Sequence, residues 1–328
     1  MASSVRLGQT LRGQHGLYTI CKQLQETVWL AKHEPNILTK KVGPQLSLSK
    51  GGQEQSVIIK SVNHFRLQNE RDVLKRFQNR TPFLRPLINE IAEPSDPPAI
   101  VLKHLNDHLL NASASQRLTN KEIKLVARSV LVALQALHEH NFVHTDIEPD
   151  NILVNYGRGT TQFKSVQLAD CGSTVPADSA YAKDGDLIGA PIWRSPEAHL
   201  RLSWGTATDI WSFGAMLISL LYGDNFFLFR PNVPADDDEY EFKILQKQCQ
   251  FFGPFPPAYR ELCDQDTLNL LIQVMKSIAP EMKKPFTRIS EKELAKEDKE
   301  FILRIMKLDP RERPSAAELL QDKWFDIE

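Results

Sequence analysis

The sequence predicts an α+β fold in two parts: a small sheet-rich first part and a larger, mostly helical second part. Three observations predict it. The first hundred residues carry short β-branched or alternating stretches around a single amphipathic helix. "KEIKLVARSVLVALQALHEH" (121–140) sets Ile123, Val126, Val130, Leu134 and Leu137 at helical spacing. "DIWSFGAMLISLLYG" (209–223) is apolar nearly all round, as a helix buried inside a large core must be. A chain of 328 residues is long enough for two such lobes.

The elements follow in order. "YTICKQL" (18–24) and "TVWLA" (27–31) read as a short hairpin, and 32–54 as a polar loop with Pro35, Pro44, Gly51 and Gly52. "SVIIKSV" (56–62) reads as a buried strand. "HFRLQNERDVLKRFQ" (64–78) has Phe65, Leu67, Leu74 and Phe77 with charges between them and reads as an amphipathic helix. "AIVLKHL" (99–105) is a further strand, and the lobes meet near residue 105. The expected division is an N-terminal segment 1–17, a first lobe 18–105 and a second lobe 106–328. In the second lobe "NILVN" (151–155) and "SVQLAD" (165–170) read as strands. Ser315 with Glu318 three residues on reads as a capping box. "DDDEYE" (236–241) and "EKELAKEDKE" (291–300) read as solvated faces.

Composition narrows the function. The chain is 41% hydrophobic and 25% charged with a net charge of −1, so no overall basic field favours nucleic acid or anionic membrane. Cys21, Cys171, Cys249 and Cys263 are scattered, which opposes a disulfide framework and fits a reducing compartment. No stretch reaches the roughly 18 apolar residues of a membrane span. Arg6, Arg12 and Lys22 lie ahead of or beside the first acidic residue, Glu26, a pattern shared with transit peptides. No amphipathic helix accompanies it, so the segment reads as an ordinary basic N-terminus. A monomer in the cytoplasm or nucleus is expected.

The densest chemistry lies in "HEHNFVHTDIEPDN" (138–151). His138, His140, His144 and Asp146 are zinc-ligand types, but their spacing does not match a metal-binding motif, and His138 closes a helix whose dipole suits it. Order along the chain points elsewhere. His144-Thr145-Asp146-Ile147-Glu148-Pro149-Asp150-Asn151 is followed by Asp170-Cys171-Gly172 and then by Ser195-Pro196-Glu197. "VIIK", ending at Lys60, and Glu70 on the next helix stand upstream. This ordered set resembles the signatures of the eukaryotic protein kinase family, over about residues 18–325. "KILQKQCQFFGPFPPAY" (243–259) is similar to the insert of the branch that includes the splicing-factor and cyclin-dependent kinases.

The resemblance implies a two-lobed protein kinase-like fold, ATP and Mg²⁺ as cofactors, and a protein substrate or binding partner. It assigns Asp146 as the acceptor of the substrate hydroxyl proton, and Asn151 and Asp170 as Mg²⁺ ligands. It assigns Lys60, held by Glu70, to the α/β-phosphates, and Val28 and Leu153 to the two faces of adenine. The backbone near Lys103–Leu105 would bond the edge of the base. Glu197 and Arg313 would form a structural ion pair, and Asp209 would brace the catalytic loop.

The chain also departs from the family. Between Leu24 and Val28 stand only Gln25, Glu26 and Thr27, so there is no Gly-rich loop to bring backbone amides over the phosphates. Gly13 and Gly16 lie before the first expected strand. The catalytic-loop Lys is Glu148. A unit charge at ~5 Å and an effective dielectric of ~20 is worth about 3 kcal/mol, and each 1.36 kcal/mol is tenfold in rate. The Thr that bridges to that Lys is Ala190. Ile58 replaces a small residue under adenine, Thr145 an Arg that pairs with a phosphorylated loop, and Cys171 a Phe. Two functions follow: a serine/threonine-protein kinase with weakened or unusual nucleotide handling, or a pseudokinase that binds or scaffolds protein. A small-molecule phosphotransferase is a third, less well matched to "RSPE" and the insert near 250.

Overall fold

A computed structural model of the chain describes residues 5–34, 55–158 and 162–327. Their contacts divide the chain into two compact units. One comprises 1–79 and 84–105, the other 80–83 and 106–328.

The first unit is a closed antiparallel barrel with one helix. Its strands are β1 (Thr10–Gly13), β2 (Leu17–Gln25), β3 (Val28–Glu34), β4 (Gln55–Ser61), β5 (Leu87–Glu93) and β6 (Ala99–Lys103). Helix α1 (Phe65–Phe77) follows β4. Around the barrel the order is β1-β2-β3-β4-β6-β5. Alternate residues fill it, as a pleated strand requires: Tyr18 and Ile20, Trp29 and Ala31, Val57 and Ile59, Ala99 and Val101. Strand β4 and helix α1 lie within a residue of the expected bounds. Residues 32–34, expected in a loop, extend β3, and 35–54 of that loop lie outside the described residues.

The described part of the expected N-terminal segment 1–17, from Val5 on, belongs to the barrel. Strand β1 pairs with β2 (Thr10↔Thr19, Arg12↔Leu17) and with β5 (Arg12↔Glu93, Gly13↔Ile91), and Val5 and Leu11 join the barrel core. This closure removes the free edges of the sheet. Gly16, in the β1–β2 turn, has φ +90°, and a Cβ there would stand 2.6 Å from His33 Nε2. A Cβ on Gly13 would stand 2.7 Å from both Asn89 Nδ2 and Tyr18 Cε2. Those neighbours form a network in which Asn89 Nδ2 donates to His15 O (2.7 Å) and to Tyr18 Oη (2.9 Å). Both glycines therefore serve packing.

The second unit begins with β7 (Asp107–His108), α2 (Leu109–Ser115) and α3 (Asn120–His138). Then come β8 (Phe142–Val143), β9 (Ile152–Tyr156), β10 (Phe163–Leu168), β11 (Val175–Pro176), α4 (Ala180–Lys183) and α5 (Pro196–His199). Helices α6 (Thr206–Tyr222), α7 (Tyr240–Phe252), α8 (Gln265–Lys276), α9 (Lys296–Ile305) and α10 (Ala316–Leu320) complete it. Helix α3 starts in a Thr119–Glu122 capping box, and α10 in the expected Ser315–Glu318 box. Every residue of α6 from Thr208 to Leu221 is buried, as its apolar circumference requires. Among the described residues no helix is long and apolar enough to cross a membrane.

Candidate active site

In the barrel unit, Lys60 on β4 and Glu70 on α1 meet: Lys60 Nζ donates to Glu70 Oε2 at 2.9 Å. Strand β4 alternates, so Val57 and Ile59 enter the barrel while Lys60 emerges on the face that meets the helix. Glu70 is buried, and its other oxygen, Oε1, has no hydrogen-bond partner among the described residues. Val28 opens β3 opposite Lys60. The turn before it is Glu26–Thr27 alone, because Gln25 already pairs with Val28. A two-residue turn has no length to arch over phosphates.

At the end of β6 the backbone of Lys103 is engaged. Its N–H donates to Pro86 O (3.1 Å), and its carbonyl accepts from Arg85 Nε at 2.8 Å. Lys103 lies in the stretch, Lys103–Leu105, whose backbone is expected to bond the base edge. Arg85 is buried, in the apolar run "PFLRPLI", and was not singled out from the sequence. An Arg alone in such a run was the available signal, since a buried cation needs partners. Leu105 closes this unit and is buried.

The second unit assembles the catalytic loop around Asp209, at the start of α6. Asp209 Oδ2 accepts from His138 Nε2 (2.9 Å) and from the backbone N–H of His144 (2.8 Å), and Oδ1 accepts from Thr145 N–H (2.9 Å). The brace expected of Asp209 is therefore present, and His138 is part of it. The other histidines of the cluster have structural partners. His140 Nδ1 bonds Ala136 O, and His144 Nε2 donates to Ala169 O (3.0 Å) while its Nδ1 accepts from Asp146 N–H (3.3 Å). Asn151 Nδ2 donates to Asp146 Oδ2 and to Asp146 O, both at 3.0 Å. This fixes one carboxylate oxygen of Asp146 and leaves the Asn151 amide oxygen as that side chain's acceptor. Ala169 N–H donates to Asn151 O (2.8 Å), which ties Asp170 to the same loop; Asp170 has φ +58° and ψ +61°. Thr145, at φ +73°, donates from Oγ1 to Ser173 O (3.0 Å). The hydroxyl thus joins the catalytic loop to the segment after Asp170. Leu153 lies on β9 opposite Gln167.

Glu148 is half-buried beside Asp146, Asp150 and Asp170, and the Trp193 side chain hydrogen-bonds it. The indole N–H is a donor only, so the carboxylate accepts. Burial first, then the three carboxylates, push Glu148 up to about 7. Trp193 closes the short 3₁₀ turn 191–193 that follows Ala190. At the family's Lys and Thr positions stand Glu148 and Ala190, and the Trp193 indole, three residues beyond Ala190, acts on the acid. Arg194 holds the preceding segment: Nε donates to Ile188 O (2.7 Å) and Nη2 to Gly189 O (3.0 Å). Helix α7 secures Arg194 through Glu241 (3.3 Å) and through Gln248, which donates to Arg194 O (2.9 Å). Arg313 grips Glu197 with two hydrogen bonds, at 2.6 and 2.7 Å, both partners buried. That is the structural ion pair expected.

Among the described residues no three His, Cys, Asp or Glu side chains gather into a metal site by themselves. The oxygen donors of Asn151 and Asp170 nonetheless suit a hard cation that takes its remaining ligands from phosphates and water. They fit Mg²⁺.

A barrel with a Lys–Glu pair, and a helical unit with an Asp–Asn loop braced from a buried helix, define the protein kinase class. The protein kinase domain model matches residues 53–325, and the chain belongs to that family. It is 34% identical to the serine/threonine-protein kinase PAK 5 of Rattus norvegicus over 119 residues, 36% of this chain and 16% of that protein. It is 27% identical to the serine/threonine-protein kinase PAK 1 of Mus musculus over 206 residues, 63% of this chain and 29% of that one. To pakG of Dictyostelium discoideum it is 28% identical over 204 residues, 62% and 13%. The chain thus spans less than a third of the length of these relatives. The fold matches a chain of the yeast RNA Pol II CTD kinase CTDK-1 complex with a TM-score of 0.70 at 17% identity, covering 95% of this chain and 93% of that one.

Proposed function

We propose that the chain transfers the γ-phosphate of a nucleoside triphosphate, ATP in the family, to Ser or Thr of a protein substrate, at a modest rate. The observation that carries this is the Asp146–Asn151 pair on a loop braced from Asp209. Asp146 would accept the hydroxyl proton as the oxygen attacks phosphorus, and Asn151 holds the carboxylate in one rotamer for that task. Lys60, positioned by Glu70, would bind the α/β-phosphates. Asn151 and Asp170 would hold Mg²⁺, which supplies neutralisation of the phosphate charge. Glu148, bonded to Trp193 and neutral for part of the population near pH 7, opposes those charges less than a free carboxylate would.

A second function, a pseudokinase that binds or scaffolds protein, is favoured by the two-residue Glu26–Thr27 turn, which supplies no amides to the phosphates. Transfer of labelled γ-phosphate to protein, with Mg²⁺ and then Mn²⁺, separates the two. Transfer is expected from the wild-type chain and not from Asp146→Ala. Equal signal from both proteins would mean a contaminant, and no signal from folded wild-type chain across several substrates would leave the scaffold.

A further inference from the structure

The second unit carries a groove of about 470 Å³ for which phosphoryl transfer has no use. Its lining is mostly apolar. Tyr222, at the end of α6, stacks on Phe226 with ring centroids 4.5 Å apart, and Leu228, Phe251, Pro285 and Ile289 continue the surface. Gly223, at φ +73°, ends α6, and Phe226 N–H donates to Gly223 O (2.9 Å), closing the turn that brings the two rings together. Across the groove the segment from Met282 is fixed to α7. Lys284 N–H donates to Gln250 O (3.3 Å), Gln250 Nε2 donates to Met282 O, and Phe286 is buried against Phe252 (5.1 Å).

The rim is positive. Lys283, Lys284 and Arg288 line the groove, are exposed, and form no ion pair among the described residues. Glu293, the acid in the lining, is taken up by Tyr222, whose hydroxyl donates to Glu293 Oε1 at 2.8 Å. The positive field reaches inward. Lys247, half-buried with Nζ donating to Leu228 O (3.4 Å), is held below the ordinary lysine range by burial and then by Lys284. Scattered surface lysines need no ligand, but unpaired cations around an apolar depression complement one kind of occupant: bulky apolar side chains with carboxylates beside them. The chain's own segment 35–54 has the wrong sign, with Lys40, Lys41 and Lys50 against Glu54. A membrane surface takes side chains that protrude, and these line a depression.

We propose that this groove docks a segment of a partner protein in which acidic residues flank one or two bulky apolar side chains. The proposal goes beyond phosphoryl transfer and holds equally for a scaffold. The experiment selects random peptides displayed on phage against the full wild-type chain. An enriched peptide is then measured by fluorescence anisotropy against wild type and against the triple variant Lys283→Glu, Lys284→Glu, Arg288→Glu. The three cations are exposed and unpaired, so the variant should keep its fold, which circular dichroism checks. Phe226→Ser, at a side chain 36% exposed, is the second variant. Enriched peptides are expected to combine Asp or Glu with Phe, Leu or Ile. Binding should fall at least about tenfold on charge reversal, about threefold or more in Phe226→Ser, and further as salt is raised. Enrichment without acidic residues, no enrichment, or equal affinity for wild type and the charge-reversed chain would overturn the proposal. So would sedimentation with phosphatidylcholine–phosphatidylserine vesicles, or dimerisation in ultracentrifugation, that charge reversal abolishes: the groove would then serve a membrane or a second copy of the chain.

Discussion

Glu148 makes the sharpest test, because its protonation is set by burial and by three neighbouring carboxylates. Its pKa in the folded chain is raised to about 7. The folded state therefore holds this proton more tightly than the unfolded state does. Stability from that source is complete below the ordinary glutamate range and is lost as pH rises through about 7. Each pKa unit is worth about 1.36 kcal/mol, so the full cost of ionising a buried Glu148 is roughly 3 kcal/mol, and solvent screening at a half-buried group reduces this to about half. Glu148→Gln keeps an oxygen to accept from Trp193 and removes the charge. It should stabilise the chain at pH 8.5 and do so less at pH 5.5, the difference being about 1 kcal/mol. Urea denaturation without Mg²⁺, followed by circular dichroism at the two pH values, measures it. The variant should also transfer phosphate faster than wild type above pH 7, and equally fast well below it. A stabilisation independent of pH, or a destabilisation at pH 8.5, would refute the reasoning: Glu148 would then be ionised and favourably paired.

Two further expectations concern the scaffold. Asp209→Asn turns one acceptor oxygen into a donor facing the backbone N–H groups or His138, so the catalytic loop should lose about 3 kcal/mol in chemical denaturation; a loss under about 1 kcal/mol would mean that the loop is held elsewhere. Gly16→Ala should cost about 1–2 kcal/mol more than Gly8→Ala, since both have positive φ but only Gly16 has a side chain, His33, where the Cβ would go. Equal costs would show that His33 moves aside.

What was legible in the sequence was local or ordered along the chain. Strand β4, helices α1, α3 and α6 and the Ser315–Glu318 box carry their own periodicity or capping chemistry. The Lys60–Glu70, Glu197–Arg313 and Asp209 contacts followed from motif order. Strand β1 was not legible. Four residues, "TLRG", have too little pattern, and their pairing with β5 spans some eighty residues of chain. The Trp193–Glu148 bond was hidden for the same reason: each partner looked ordinary, and only the fold brings them together. Arg85 stood in plain view, but what its guanidinium reaches depends on the β5–β6 pairing.

Decay and retuning of a kinase site predict different kinds of contact. A decaying site loses a partner and leaves the other group stranded, which costs about 1–3 kcal/mol wherever the stranded group is buried. Here two of the altered positions are matched. Glu148 has the Trp193 donor, and Thr145 has Ser173 O. Glu70 Oε1, beside the retained Lys60, is one of several buried side-chain atoms without a hydrogen-bond partner among the described residues, and it belongs to a pair the family uses. A buried carboxylate oxygen is expensive to keep unsatisfied, and a chain with no use for the Lys–Glu pair could exchange it for apolar side chains at no loss of stability. The matched substitutions and the retained, costly pair together favour a site with altered nucleotide handling over one that has fallen out of use.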